Sequence, residues 1–382
     1  MNSNYKRVSR HRTCLICGKP DWCSYTPDSR ISFCARIITN ADRVSRTGWG
    51  VFYHEKSLFS EKLLPFPSYP LPKKPKLAPI EIRDFAYRKL IELAPATNSN
   101  EIIDGKKGLR NRKILDFESY GALPQTMAER TAIARKIRNL INRKFPQFVR
   151  QTKSSITSIP GFWLEKNGNA RIWHHKDYSC PLMVIPYRNE KGLIEACQIR
   201  FMGDLQTSIR YVWLSTPNKS EGLSCGSPLH FAACRIPLQG KPILITEGAL
   251  KAETVKIFKP DLNVIAGGGV NCSHEQIISS TRNCPVILGF DSDYAVNRHV
   301  ARAFTKLIVS RLVDSLRYKY HFDLNVLTWH KSLKGIDDAL LQNSPICPIT
   351  PAQWFKTLSS SCQIEVARVF NEYDSLHQNP FW

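Results

Sequence analysis

The stretches ILITEGALKAE (residues 243–253) and VILGFDSD (residues 286–293) decide the fold of this chain. Residues 243–246 are apolar or β-branched without polar alternation, which is typical of a strand covered on both faces of a parallel sheet. Gly248 permits a tight turn, and residues 249–258 then follow a helical period. Residues 264–266 and 286–290 predict two further strands. The predicted fold class is therefore α/β, with a Rossmann-like parallel sheet.

Acidic side chains follow two of these strands. Glu247 ends the first strand, and Asp291 and Asp293 come at the end of the third. Successive strand residues face opposite ways, so the D-x-D spacing puts both aspartates on one side. Open α/β sheets bind ligands at this carboxyl edge. Carboxylates gathered there repel unless a cation compensates, and oxygen ligands favour Mg²⁺ or Mn²⁺ over Zn²⁺. The other interpretation is that they are helix caps and solvated loop residues.

Three motifs carry a resemblance to a known family. EGALKA (247–252), GFDSD (289–293) and KGIDD (334–338) resemble the Toprim domain of bacterial primases, type IA and II topoisomerases and related nucleases. The resemblance covers residues 241–345. It implies catalytic and metal-binding roles for Glu247, Asp291 and Asp293, with Lys251 and Lys334 neutralising phosphate charge. An acid of the last motif joins the metal in that family; Asp337 is preferred, with Asp338 as a helix N-cap.

The charge of the chain is uneven. The net charge is +22, and almost all of the excess lies ahead of residue 242, which favours a polyanion as partner. A basic surface that serves only solubility is the other interpretation. No stretch approaches the apolar length of a membrane span and no targeting segment is visible, so we expect no membrane partner and a cytoplasmic location. The 12 cysteines are then unlikely to form a disulfide framework.

Four of the cysteines fall close together near the start. Cys14-x-x-Cys17-Gly18 is typical of a zinc knuckle, and Cys23 and Cys34 complete a four-thiolate set. His11 would substitute if Cys23 proved free. The segment resembles the zinc-binding module of bacterial and phage primases, which implies a structural Zn²⁺ on these cysteines. Trp22, among cations and rings, either stacks on single-stranded bases or packs in the core of the module.

Composition predicts the domain boundaries. PFPSYPLPKKPKLAP (65–79) is proline-rich and predicts an extended linker. The predicted domains are a zinc module (1–64), this linker, a basic α+β subdomain that binds nucleic acid or nucleotide (80–240), the Toprim-like domain (241–350) and a C-terminal tail (351–382). Within the basic subdomain, GKKGLRNRK (105–113) contributes Lys106 and Lys107. No Walker A loop occurs in the chain, so no helicase domain is expected.

The stretch ahead of the acidic motifs predicts a β-hairpin. PLMVIPYRNEKGLIEACQIRF (181–201) is similar to the segment that precedes Toprim in bacterial replicative primases. That resemblance implies that Arg200, Arg188 and Arg210 face nucleotide or template; exposed hairpin cations are the other interpretation. YVWLSTPN (211–218) and GSPLHFAACR (226–235) look like Toprim proteins of plasmids and phages that combine a zinc module with this cleft.

Together these features predict a primase-like nucleotidyltransferase. It would use nucleoside triphosphates and Mg²⁺ or Mn²⁺ to make short primers on single-stranded DNA, for replication of a mobile element and with a replicative helicase as a potential partner. A Toprim nuclease and a non-catalytic DNA-binding accessory protein are the alternatives. A topoisomerase is disfavoured because the chain is too short for the usual gate.

Overall fold

A computed structural model describes residues 5–9, 11–27, 29–37, 41–45, 49–54, 77–152, 156–174, 180–203, 210–217, 219, 222–232 and 241–377. The chain divides into two compact units, Met1–Pro75 and Lys76–Trp382. Most of the proline-rich stretch 65–79, predicted as a linker, lies outside the described residues.

The first unit contains a small antiparallel sheet of five strands in the order β1-β2-β3-β5-β4. The strands are β1 (Lys6–Arg7), β2 (Ser24–Tyr25), β3 (Ile31–Cys34), β4 (Arg43–Val44) and β5 (Gly50–Tyr53). Cys23 directly precedes β2 and Cys34 ends β3, and these two strands pair. Among the described residues of this unit, the buried cluster consists of Val8 and three cysteines. A core this small commonly needs a structural metal to be stable.

The second unit begins with a layer of helices on a small sheet. Its helices are α1 (Ile80–Leu93), α2 (Asn100–Asp104), α3 (Met127–Lys144) and α4 (Pro146–Thr152), and its strands are β6 (Gly121–Leu123), β7 (Phe162–Leu164), β8 (Ala170–Ile172), β9 (Leu182–Arg188), β10 (Ile194–Phe201) and β11 (Tyr211–Trp213). The sheet order is β11-β10-β9-β6. Strands β9 and β10 pair antiparallel, as the hairpin prediction requires.

A six-stranded sheet follows, in the order β12-β14-β13-β15-β16-β17. Its strands are β12 (His230–Ala232), β13 (Ile243–Glu247), β14 (Asn263–Gly267), β15 (Val286–Gly289), β16 (Leu324–Thr328) and β17 (Cys347–Ile349). The central four are parallel, which confirms the predicted α/β fold class. At the two edges, β12 pairs antiparallel with β14 and β17 pairs antiparallel with β16. The sequence did not predict these two edge strands.

Helices cover both faces of this sheet: α5 (Ala249–Phe258), α6 (His274–Ser280), α7 (Arg298–Tyr318), α8 (Ile336–Leu341), α9 (Pro351–Thr357) and α10 (Ser360–His377). Residues of α6, α7, α9 and α10 share one core with the sheet, and α5 and α8 share the other. The segment 351–382, predicted as a tail, is thus helical over most of its length. Thr350 caps α9, and Trp354 packs against Phe304 with ring centroids 4.7 Å apart.

One contact brings the hairpin to the edge of the large sheet. Ala249 and Leu250, in the first turn of α5, pack in one buried cluster with Met183, Ile185 and Tyr187 of β9. Because α5 begins directly after Glu247, the hairpin lies beside the carboxyl ends of the parallel strands.

Candidate active site and metal centre

The four cysteines of the first unit converge on one point. The sulfur atoms of Cys14, Cys17, Cys23 and Cys34 all lie within 4.8 Å of one another. Cys17 and Cys23 are 3.6 Å apart, and Cys23 and Cys34 are 3.9 Å apart. A tetrahedral site with zinc–sulfur bonds of about 2.3 Å has sulfur–sulfur edges of about 3.8 Å. The cluster therefore has the dimensions of a four-thiolate zinc site, and Cys23 belongs to it, so no substitute such as His11 is needed.

The surroundings of the cluster stabilise thiolate charge. The backbone N–H groups of Ala35 and Ile37 donate to Cys23 and Cys34, over 3.4 and 3.2 Å. Hydrogen bonds within the cluster, Cys14 foremost, lower the pKa of Cys17 and raise the pKa of Cys23. Four thiolates this close together repel one another unless a cation compensates their charge, and a zinc ion would supply that compensation.

The acidic residues lie at the carboxyl edge of the large sheet. Glu247 ends β13, Asp291 and Asp293 follow β15, and Asp337 lies in the first turn of α8, beyond β16. Gly248 adopts φ 85°, a left-handed conformation that favours glycine, so the chain can turn sharply from Glu247 into α5. The loops are tied together, because the N–H of Ser292 donates to the carbonyl of Lys334 over 2.9 Å. The structure thus gathers the acids of all three motifs.

Two lysines neutralise Asp291, which is 6% exposed. Lys251 Nζ pairs with its Oδ1, and Lys334 Nζ lies 3.5 Å from its Oδ2. Burial would lower the pKa of Lys251, but the carboxylates of Asp291, Asp337 and Glu247 outweigh it and the pKa is raised. Lys251 is therefore a fixed positive charge within the acidic cluster. The Lys334 side chain is 69% exposed and can reach a ligand in solvent.

The charged forms of Glu247 and Asp293 are destabilised by their surroundings. Burial raises the pKa of Glu247, and the negative charges of Asp291 and Asp293 raise it further. The pKa of Asp293 is raised in the same way, by burial and then by Asp291. A cation beside these groups would relieve the repulsion, so they meet the electrostatic condition for a divalent metal.

The two aspartates of the KGIDD motif have different partners. Asp338 Oδ2 accepts a hydrogen bond from the N–H of Gly335 over 3.1 Å. The N-cap of α8 is therefore Gly335 and not Asp338 as predicted, and Asp338 caps the helix from its third position. Asp337 is 2% exposed. Its Oδ2 accepts from Arg112 Nη1 over 2.6 Å, while its Oδ1 is buried without a hydrogen-bond partner. This oxygen is available to a ligand, and oxygen donors of this set are of the kind that Mg²⁺ and Mn²⁺ prefer.

Gly335 brings the two loops close together. A methyl group on its Cα would press on Asp337 Oδ1 and would lie 3.2 Å from Lys251 Cε and 3.4 Å from Asp291 Oδ1. Both aspartates and Lys251 therefore border the Cα of Gly335, where any side chain larger than that of glycine would displace them.

The hairpin supplies a basic wall beside the acids. Arg200, on β10, is 4% exposed and donates to the hydroxyl of Tyr211 over 2.6 Å. Burial lowers the pKa of Arg200, and Arg112, Arg210 and Asp337 are close enough to act on its charge. Arg200 thus lies within electrostatic range of Asp337, and Arg210 lies near Arg200.

Other residues singled out in the sequence lie elsewhere. Arg188 is at the far end of the hairpin, since β9 pairs Met183 with Arg200 but Arg188 with Ile194; its N–H donates to His230 over 3.2 Å. Lys106 and Lys107 are exposed in the turn after α2. Trp22 is 52% exposed, so it is not a core residue of its unit.

Sequence reasoning missed Arg112. The charge density of the loop 105–113 points to Lys106 and Lys107 as its binding cations and does not single out Arg112. The only available signal was the local charge density, because the partner of Arg112 lies 225 residues further along the chain.

Comparison with known proteins gives structural likenesses only. No protein-family model and no curated protein matches the chain. Among solved structures, it is similar to the zinc-binding and RNA polymerase domains of Aquifex aeolicus primase, with 15% identity and a TM-score of 0.45, over 98% of this chain and 86% of that one. It is also similar to a DNA primase domain from Pseudomonas aeruginosa, with 17% identity and a TM-score of 0.45, over 73% and 82%.

A third similar structure is the RNA polymerase domain of Mycobacterium tuberculosis primase DnaG, with 12% identity and a TM-score of 0.43, over 77% of this chain and 90% of that one. The similar structures are therefore primase domains, the class that the sequence motifs resemble. Among the described residues no helix is long and apolar enough to cross a membrane.

Proposed function

We propose that this chain is a primase-like nucleotidyltransferase that synthesises short primers on single-stranded DNA from nucleoside triphosphates. The observation that carries the proposal is the convergence of Glu247, Asp291, Asp293 and Asp337 at one sheet edge, beside the buried arginine Arg200. A cluster of acids with a divalent metal would serve DNA cleavage as well as primer synthesis, because both are reactions at phosphorus. The arginine wall adds a surface for the negative charge of nucleotide and template.

Glu247, Asp291, Asp293 and Asp337 would hold one or two Mg²⁺ or Mn²⁺ ions. When bound, the metal lowers the pKa of the attacking 3′ hydroxyl and stabilises the triphosphate and the leaving pyrophosphate. Lys334, largely exposed beside Asp291, reaches the phosphates from the solvent side. Lys251 keeps its proton in the cluster and offsets part of the acidic charge. Arg200 orients the nucleotide or the template, with Arg210 at the entrance.

The zinc unit would dock the template. Trp22 is exposed and can stack on an unpaired base, and Arg12 lies over the ring of Tyr25 at 3.9 Å, which presents a cation beside an aromatic face. Lys106, Lys107 and Arg188 would contribute phosphate contacts along the path of the strand. Because such binding releases counterions, affinity for DNA should fall steeply with salt.

The setting we infer is replication of a plasmid or phage in the bacterial cytoplasm, with a separate helicase opening the duplex. The boundaries proposed for the parts are the zinc module 1–64, the linker 65–79, the basic subdomain 80–240 and the Toprim-like domain 241–350, followed by the segment 351–382.

The test is primer synthesis by the full chain, with single-stranded DNA, labelled nucleoside triphosphates and Mg²⁺ or Mn²⁺. Asp291→Asn should lower the rate by about 10²- to 10³-fold or more, because the most central carboxylate of the cluster loses its charge. Asp261→Asn, at an exposed position, is the matched control and should leave the rate unchanged. Both variants should bind single-stranded DNA as the unchanged protein does.

Two outcomes would replace the proposal. Cleavage of the DNA that depends on Asp291, without primers, would assign the chain to the Toprim nucleases. DNA binding with neither activity would favour a non-catalytic accessory protein.

A further inference from the structure

Arg112 connects the basic subdomain to the last acidic motif. It lies in the short 3₁₀ turn Arg110–Arg112, and its Nη1 donates to Asp337 Oδ2 over 2.6 Å. The side chains of Arg112 and Asp337 are 15% and 3% exposed. The backbone of Arg112 is held as well, because its carbonyl accepts a hydrogen bond from Thr254 of α5 over 3.3 Å. Helix α5 also carries Lys251. The backbone of Arg112 is therefore attached to the same helix as one member of the acidic cluster, and its side chain contacts another.

The geometry of this pair differs from that of a purely structural salt bridge. A buried arginine–carboxylate pair is most stable with two parallel hydrogen bonds. Here the contact uses one N–H and one oxygen, and both Arg112 Nε and Asp337 Oδ1 are buried without partners. The free oxygen lies next to Gly335, near Asp291 Oδ1 and near Lys251, whose ammonium pairs with that oxygen of Asp291 and would have to move aside for a cation. Arg112 therefore restrains one oxygen of Asp337 and leaves the other open toward the cluster.

We propose that Arg112 is a positioning residue for the metal centre: by holding Asp337 Oδ2, it directs Oδ1 to a divalent cation shared with Asp291. The inference rests on the proposed function, because it assigns a ligand within that site. Ligating carboxylates generally have an outer hydrogen-bond partner that fixes their orientation, and its loss weakens metal binding. Arg112 also makes the metal site depend on the basic subdomain, although the four acids all follow residue 241.

The experiment measures Mn²⁺ binding to the full chain by the electron paramagnetic resonance signal of free Mn²⁺, without nucleotide or DNA. Arg112→Met should raise the Kd for Mn²⁺ by about 10- to 100-fold, and Asp337→Asn should raise it comparably. Arg110→Met is the matched control, because Arg110 is a cation of the same turn that pairs with Asp104 at the surface, over 2.5 Å. Its Kd should equal that of the unchanged protein.

Two additions separate positioning from folding. Arg112→Lys keeps the charge and one donor, so it should bind Mn²⁺ more tightly than Arg112→Met. Added methylguanidinium should restore part of the affinity of Arg112→Met by occupying the vacated space. Unchanged Mn²⁺ affinity in Arg112→Met or in Asp337→Asn would overturn the inference, as would a loss in Arg112→Met that neither methylguanidinium nor lysine repairs.

Primer synthesis is assayed in parallel, so that the two proposals fail separately. The expected pattern of Mn²⁺ affinities without any primer product would reject the proposed function and keep the role of Arg112. Primer synthesis together with an unchanged Mn²⁺ affinity in Arg112→Met would reject only the role of Arg112.

Discussion

The two centres of this protein are built in opposite ways. The cysteine centre draws its ligands from Cys14 to Cys34, and the sulfurs lie within 4.8 Å of one another. The acidic centre draws its residues from Arg112 to Asp337, which are 225 positions apart. Among the described residues, no set of three or more carboxylates lies as close together as the four sulfurs do. Lys251 and Lys334 both pair with Asp291 and offset part of the charge of the acidic centre. A short segment can close around one ion, whereas an active site balances several charges and leaves room for a substrate.

The largest effect should follow from a break in the cysteine centre. Structural zinc contributes about 10–16 kcal/mol of apparent binding free energy to small domains. Cys23→Ser should therefore abolish zinc binding and unfold the first unit, whose buried cluster is otherwise very small. The zinc content of the purified protein and the rate of proteolysis within residues 1–54 measure this directly.

Cys347→Ser is the control for that substitution, because Cys347 is an exposed cysteine of β17. It should keep a full complement of zinc. If Cys23→Ser also kept its zinc, another residue would have to be the fourth ligand, and His11 would be the first to examine.

The acidic centre should respond in activity more than in folding. Gly335→Ala adds a methyl group between Asp337, Lys251 and Asp291. The displacement of these groups should lower the rate of primer synthesis by about 10²-fold, with a stability loss of about 1–3 kcal/mol from overpacking. Steady-state rates and thermal unfolding measure the two effects.

Gly269→Ala is the matched substitution on the other side of the site. Its methyl group would lie 3.7 Å from Cys272 Sγ and 3.8 Å from Glu247 Oε1, which is ordinary van der Waals contact. Its rate should stay near that of the unchanged protein. An equal loss in both variants would show that the acidic centre tolerates no added volume anywhere, so that the space at Gly335 would have no special role.

The cysteine centre is local in sequence and the acidic centre is not, and this difference decides how much of each could be predicted. The cysteine motif is local, so its spacing predicted a ligand set whose members do converge. The strand-end acids were also predictable, because a buried apolar strand followed by an acid places that acid at the edge of a parallel sheet. The hairpin of β9 and β10 followed from two apolar runs separated by turn residues.

What could not be predicted depends on tertiary contacts. Nothing near Arg112 indicates that its guanidinium reaches Asp337. Helices α9 and α10 were missed because their apolar residues are sparse, and their order depends on packing against α7. Trp22 looked suited to a core, but a unit with so small a buried cluster leaves it exposed.

The smallest predicted effect tests whether the acidic centre sacrifices stability for function. Burial and neighbouring acids raise the pKa of Glu247, so the native protein retains a proton there at a pH where the unfolded chain has lost it. Stability of the metal-free protein should therefore rise as the pH falls through this raised pKa toward the ordinary value. Glu247→Gln removes the charge at every pH and should stabilise the metal-free protein by about 0.5–2 kcal/mol at neutral pH.

Thermal unfolding with a chelator, at neutral and mildly acidic pH, measures this gain, and Glu118→Gln at an exposed position is the control with no expected change. The gain of Glu247→Gln should shrink at acidic pH, where Glu247 itself is protonated. It should reverse when Mn²⁺ is added, because only the unchanged carboxylate binds the ion and is stabilised by it. A loss of stability in the metal-free variant would mean that Glu247 is held by favourable contacts, and the acidic centre would then resemble the cysteine centre in being built for stability.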